Sequence, residues 1–164
     1  SVQTPEELIH ALSFGDISTI QMPFNILDHR WSESICKIIE EKKKRDLKIH
    51  ARSSLLQGLL QSSEKELWEK SGISNFNEII NWLNSGFRSY HAMSVTDFCI
   101  KYVNSQPWID SIVIGVDSLS QLYSNLQSVS MHLFSDNELS CIDNQKPRVS
   151  DGSLNPANWK LNNV

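Results

Sequence analysis

No run in this chain approaches the roughly 20 consecutive apolar residues that a membrane-spanning helix needs. Its first residues show no signal-peptide pattern. Cysteine is sparse, and Cys36, Cys99 and Cys141 are far apart and odd in number. With no CxxC pair and no Cys/His cluster, neither a zinc site nor a disulfide framework is indicated. Cys36 and Cys99 fall on predicted apolar helix faces, where a buried thiol is the ordinary reading, and a reducing cytoplasm is the expected compartment. Positive charge is not in excess either. The net charge is −4 and the pI about 5.7, which argues against nucleic acid as the main partner. Internal repeats and low-complexity segments are lacking. So is an initiator methionine: the chain opens Ser1-Val2-Gln3-Thr4 and enters helix-cap chemistry at once. The expectation is a piece of a longer chain, with methionine removal before a serine as the alternative.

What is there is an ordinary globular composition, 40% hydrophobic and 21% charged over 164 residues, enough for one domain with a core. The stretch from Asp110 to Leu126 carries the most organisation. Ile112, Val113 and Ile114 form a β-branched run expected to be a parallel strand buried on both faces. Gly115 is expected at a sharp turn. Asp117 or Ser118 then caps a helix with the apolar stripe Leu119, Leu122, Leu126 and Val129. Such a strand–turn–helix junction is either an ordinary connection or, with its free N–H groups and helix dipole, a place for a phosphate.

Thr4-Pro5-Glu6-Glu7 predicts a helix start, with Thr4 as cap, Pro5 in the first turn and Gly15 as the residue that ends the helix. Ser18–Met22 predicts a strand stopped by Pro23. Trp31, Ile35, Ile38 and Ile39 mark one helix face running into a solvated basic end at Lys42–Arg45. Leu47–Ala51 is the next strand. The segment 52–60 is too apolar for an exposed loop and is expected to pack over a barrel mouth or a ligand. A short surface helix around Ser62–Trp68 follows, then a helix marked by Phe76, Ile79, Ile80 and Leu83 and ending near Gly86. The next is capped by Ser94 and buries Val95, Phe98, Cys99 and Tyr102. A last helix covers about Asp136 to Ile142, and the rest is expected to be irregular, pinned by Trp159. Strands alternating with helices imply α/β architecture with a parallel sheet. Three strands are clear, a fourth survives only as Ser1-Val2, and that number suits an open sheet or half of a (β/α)8 barrel.

With these elements placed, the chain resembles the aldo/keto reductase family, specifically the C-terminal half of its (β/α)8 TIM barrel. TPEEL looks like the helix after the family's fifth strand, and IQMPFNILDHR like the sixth-strand signature. ARSSLLQGLL resembles the seventh-strand loop. SVTDFCIKYVNSQPWIDSIVIGVDSLSQLYSNL resembles the last helix–strand–helix unit. The resemblance implies a half-barrel over residues 1–145 and an irregular tail over 146–164. It also implies NAD or NADP as cofactor and a small-molecule carbonyl substrate.

Residue by residue, Gln21 matches the glutamine that hydrogen-bonds the nicotinamide carboxamide, an amide meeting an amide. Arg52 stands where many members carry a tyrosine stacked on the nicotinamide ring; its guanidinium plane can also stack or pair with phosphate. Ser53, Leu55, Gln57 and Gly58 match the loop that crosses the pyrophosphate, with Gly58 permitting close backbone approach. Gly115, Asp117, Gln121 and Asn125 match the last loop and helix, which hold the adenosine end, Asn125 against adenine. Gln121 replaces the arginine that NADPH-preferring members set against the 2′-phosphate, so weak NADP preference, or NAD, is expected. Ser1 and Val2 match a Ser-Asn pair, and Val2 cannot make the asparagine's hydrogen bonds.

The family's catalytic Asp, Tyr, Lys and His belong to the other half of the barrel. Tyr90, Tyr102 and Tyr123 lie on or beside predicted helices, away from the strand ends where barrel chemistry sits. His50 is read as structural for want of an acid partner nearby in sequence. Two functional classes follow. One is the cofactor-binding part of a carbonyl oxidoreductase, inactive without its N-terminal half. The other is a non-catalytic half-barrel serving as an interaction or regulatory module. Either way an incomplete sheet is expected to pair with the missing half-barrel or with a second copy. No metal ligand set, nucleic-acid site or membrane segment is expected.

Overall fold

A computed structural model describes residues 1–130 and 132–159. The first helix, α1 (Pro5–Leu12), begins as its sequence dictates: the Glu7 N–H donates to Thr4 Oγ1 (3.3 Å), and Pro5 occupies the first turn. It ends at Ser13 rather than at a left-handed Gly15. Strand β1 (Thr19–Pro23) follows, then α2 (Ser32–Lys44) and β2 (Lys48–Arg52). On α2 the predicted stripe is narrower than expected, with Trp31 and Ile38 fully buried and Ile39 exposed.

After β2 the chain makes a long excursion. A single 3-10 turn (Leu59–Gln61) precedes α3 (Lys65–Ser71) and α4 (Phe76–Ser89). The short helix α3 is not merely superficial: Trp68 is fully buried, and its indole N–H donates to the Ser62 carbonyl (2.8 Å). Helix α4 does not stop at Gly86. That glycine lets α4 approach α5 (Val95–Asn104), because a Cβ there would lie 2.6 Å from Phe98 Cε1. Ser94 caps α5 through the Asp97 N–H (3.1 Å). Every residue from Asp97 to Val103 is buried, so α5 is a core helix rather than a one-sided one.

Strand β3 (Ser111–Val113) and α6 (Leu119–Ser130) complete the alternation. The sheet order is β1-β2-β3, all parallel, with Gln21, His50 and Ser111 in one cross-strand row. Val2 adds a lone hydrogen bond to the Gln21 carbonyl (2.9 Å) beside β1. One sheet face, Ile20, Met22, Ile49 and Ala51, is buried under the helices. The other carries Thr19, Gln21, Lys48, His50, Arg52, Ser111 and Val113, and is half-buried or exposed. Parallel sheets are ordinarily covered on both faces. This one has a single covered face, and the other is left open.

Two expectations fail here for the same reason. The β-branched run at 112–114 is not a central strand buried on both faces: β3 pairs only with β2 among the described residues, and Val113 is 44% exposed. The stripe on α6 is not buried either, Leu119, Leu122, Leu126 and Val129 all being exposed. Their apolarity is a demand for a neighbour, and among the described residues none covers them.

Helix α7 (Asp136–Gln145) starts with a reciprocal capping box between Ser135 and Glu138. In the segment that follows, two 3-10 turns (Asp151–Leu154 and Pro156–Asn158) interrupt otherwise irregular backbone. The segment crosses the loop that follows β1, meeting His29 through Asp151 (3.1 Å), and reaches Gln3 through Asn155 (3.1 Å). Trp159 donates from its indole to the Ser153 carbonyl (2.9 Å) and packs half-buried on the core. Lys160–Val164 lie outside the described residues. Among the described residues no helix is long and apolar enough to cross a membrane.

Candidate functional site

The loop leaving β2 is under backbone tension. Ser53, Leu56 and Gln57 have φ of 63°, 48° and 55°, and Gly58 has 82°. A left-handed conformation costs an L-residue roughly 1–2 kcal/mol, so something must hold the loop. Leu56, Leu59 and Leu60 do so, each buried to 2% exposure or less, and they account for the apolar character of this segment. At Gly58 the need for glycine is conformational, since a Cβ would meet nothing nearer than Gln61 Nε2 at 3.6 Å.

The tension has a consequence for donors. Among the described residues, the N–H groups of Ser54, Leu55, Gln57 and Gly58 donate to no protein acceptor, while Leu56 N–H turns back to the Ser53 carbonyl (2.9 Å). Free amides in a left-handed turn make a concavity suited to an anion.

Across from this loop lies the start of α6. Ser118, not Asp117, caps it: the Gln121 N–H donates to Ser118 Oγ (3.2 Å). Gln121 in turn accepts the Asp117 N–H on its side-chain oxygen (2.7 Å), so half of its amide is engaged in holding the helix start. Gly115, expected at a sharp turn, has no positive φ, and a Cβ there would meet nothing within 4 Å. Its part is to leave the rim open.

Between the two walls is a cleft of about 700 Å³. It brings together Arg52, Ser53, Leu55, Gln57, Gly58, Gly115, Asp117, Gln121 and Asn125, residues from two segments some sixty positions apart. Gln21 is not among them; it stands on the open sheet face, in register with His50. Arg52 is engaged elsewhere, its Nη2 donating to the Val2 carbonyl (3.2 Å) and to Gln3 Oε1 (2.6 Å). Sequence reasoning missed Ser54, Gln61, Ser94, Thr96 and Ser124 in the wall. Of these Ser54 and Ser124 lie inside the loop and the helix already singled out, and Ser94 was read only as a helix cap. Gln61 and Thr96 meet only in the fold, where the threonine hydroxyl donates to Gln61 Oε1 (3.0 Å).

The cleft wall is polar and nearly uncharged, with Arg52 and Asp117 its only ionisable members. Among the described residues no group of three or more His, Cys, Asp or Glu converges as a metal site would require. Nor does the wall contain a tyrosine. Tyr102 is buried and donates to Asp143 (2.5 Å); burial, reinforced by the Asp143 carboxylate, pushes its pKa upward and makes it a poorer acid. Tyr90 packs on Phe98, and Tyr123 is exposed on α6.

Comparison with known proteins agrees with this architecture. The model of the aldo/keto reductase family matches residues 3–146. The uncharacterized oxidoreductase YqkF of Bacillus subtilis is 23% identical over 134 residues, 78% of this chain and 42% of that protein. The fold is similar to aldo-keto reductase AKR11C1 of Bacillus halodurans in its holo form, with TM-score 0.70 and 20% identity, covering 92% of this chain and 49% of that one. It is also similar to the glycerol dehydrogenase AKR11B4 of Gluconobacter oxydans, with TM-score 0.64 and 19% identity, covering 88% and 47%. The chain thus spans about half the length of the relatives it matches, and its three strands and their helices correspond to half of a (β/α)8 barrel. It belongs to the aldo/keto reductase family.

Proposed function

We propose that this chain is the cofactor-binding part of an NAD(P)-dependent oxidoreductase that reduces a small-molecule carbonyl compound in the cytoplasm. The observation that carries the proposal is the cleft, in which a loop of free amides faces a neutral amide pair, Gln121 and Asn125, across about 700 Å³. The donor set fits the adenosine diphosphate portion of a nicotinamide dinucleotide: the amides of Ser54, Leu55, Gln57 and Gly58 for the pyrophosphate, Asn125 for the adenine, Gln121 and Asp117 for the ribose. Asp117 and the neutral Gln121 disfavour an added phosphate dianion, so NADH binds at least as well as NADPH. The nicotinamide end is less well provided, because Gln21 lies outside the cleft and Arg52 is tied to Val2 and Gln3.

The bound cofactor supplies hydride to the carbonyl carbon. This chain's residues hold and orient the cofactor, and the proton donor is expected from the complementary half-barrel. The free edge of β3 and the exposed α6 stripe are where a complementary half-barrel attaches, adding parallel strands to an open sheet. A second reading, a non-catalytic interaction or regulatory half-barrel, is favoured by the Arg52 contacts, which occupy the group nearest the nicotinamide position.

Titration of the purified chain with NADH and NADPH, followed by quenching of its tryptophans, tests the proposal. Saturable binding of NADH, no weaker than NADPH, is expected, without aldehyde turnover by the chain alone. Tenfold tighter NADPH binding overturns the stated preference. No binding of either nucleotide overturns the cofactor reading and leaves the interaction module.

A further inference from the structure

The wall of the cleft holds one polar group that the protein itself leaves unanswered. Ser54 is 3% exposed, and its hydroxyl has no hydrogen-bond partner. A buried hydroxyl without a partner carries a desolvation penalty that folded proteins generally avoid. Nothing in the packing explains the choice of serine, since alanine would fill nearly the same space without the penalty. Its position does offer a reason. Ser54 lines the cleft between Ser53 and Leu55, at the start of a run in which its own N–H and those of Leu55, Gln57 and Gly58 are also free. An unpartnered hydroxyl is not anchored to its rotamer, and rotation about χ1 is its cheapest route to an acceptor.

We propose that Ser54 is a cofactor-positioning residue, whose hydroxyl donates to a pyrophosphate oxygen of the dinucleotide alongside the free loop amides. This rests on the cofactor reading above and deepens it by assigning a side-chain donor to the diphosphate. A hydroxyl donating to a charged oxygen makes a stronger bond than it makes to a neutral acceptor. The penalty present in the free protein is removed when the ligand arrives. Serine at this position therefore trades stability of the free chain for affinity toward a diphosphate.

The trade supplies a signature that a purely structural serine lacks. In Ser54→Ala the melting temperature of the free chain stays the same or rises, while ADP-ribose binds about tenfold more weakly by calorimetry. Adenosine, which has no diphosphate, keeps its affinity, measured by saturation-transfer NMR. Ser54→Thr retains the hydroxyl and recovers at least part of the ADP-ribose affinity. Equal ADP-ribose affinity in wild type and Ser54→Ala overturns the assignment while leaving the cofactor reading intact. So does a parallel loss of ADP-ribose and adenosine binding, which marks a general disturbance of the loop. Failure of the wild-type chain to bind ADP-ribose, NADH or NADPH overturns both.

Discussion

Lys42 Nζ on α2 lies 2.6 Å from Asp110 Oδ2, and the same carboxylate oxygen accepts the Ile49 N–H at 2.7 Å. One side chain therefore joins a helix end, the start of β2 and the approach to β3. Burial acts to raise the Asp110 pKa, but the hydrogen bonds from Lys42 and the Ile49 N–H, with the charges of Lys42 and Lys48, outweigh it and hold the carboxyl below its ordinary value. A carboxyl depressed in the folded state contributes its stability above the unfolded pKa, about 3.9 for Asp, and loses it as pH falls through the folded value. Asp110→Asn is thus expected to cost ~1–2 kcal/mol near neutrality. Urea midpoints of the two proteins should converge as pH drops below about 4. A gap independent of pH would show that the charge contributes nothing.

Gly86 predicts a packing defect of the opposite kind. Phe98, against which a new Cβ would press at 2.6 Å, is fully buried and ringed by Trp82, Tyr90 and Phe134. It has no space to withdraw into. Gly86→Ala is expected to lose ~1–3 kcal/mol, although alanine favours the helix intrinsically by about 1 kcal/mol. Thermal denaturation would settle it, and a stabilised variant would mean that the two helices separate easily.

The adenosine end of the cleft gives a gain-of-function test. Gln121→Arg places a guanidinium where the proposed 2′-phosphate would lie, and it should improve NADPH relative to NADH by about tenfold. Because Gln121 also accepts the Asp117 N–H, the same change should loosen the first turn of α6 and speed amide exchange there. Faster exchange without altered cofactor preference would place the nucleotide elsewhere.

The apolar stripe on α6 predicts association. Leu119 and Leu126 are 73% and 57% exposed, and Tyr123 beside them is 67% exposed. Clustered exposed apolar side chains of this size mark a contact surface. Leu126→Glu should shift sedimentation toward the 18.7 kDa monomer if copies pair through this face when no other half-barrel is present. A wild-type chain that stays monomeric at high concentration would remove self-association and leave the complementary half-barrel as the occupant.

Local chemistry was legible in the sequence wherever a residue acts on its own neighbours. Thr4 and Ser94 cap helices because the groups they satisfy lie three residues away. The alternation of strand and helix follows from the same short-range rules, while the choice of a half-barrel over an open sheet came from the resemblance to the aldo/keto reductase family. Burial was legible only where the partner is in the chain. Val113 and Leu126 read as buried because apolarity reports a need for cover, and no pattern states whether the cover is present. Gly86 read as a helix end because its true role depends on Phe98, twelve positions on and in another helix. The cleft assembled largely as the motifs suggested, since two of its walls are continuous segments. Gln21 fell outside because it stands on β1, with β2 between it and the β3–α6 wall. Thr96 and Gln61 were invisible because a third wall depends on how α5 lies against the β2 loop.

The contact between Gln3 and Asn155 spans 152 positions along the chain. Its loop cannot close until Asn155 has been made, and closure entropy delays such contacts relative to local ones. The sheet, by contrast, can form once β3 has been synthesised. During synthesis the strand ends near Gln3 therefore stay unsealed while the body of the fold is already assembled. Pulse-labelled exchange should find the amides around Gln3 and Asn155 protected last. Truncation before Asn155 should leave the β-sheet intact while making α1 open more readily.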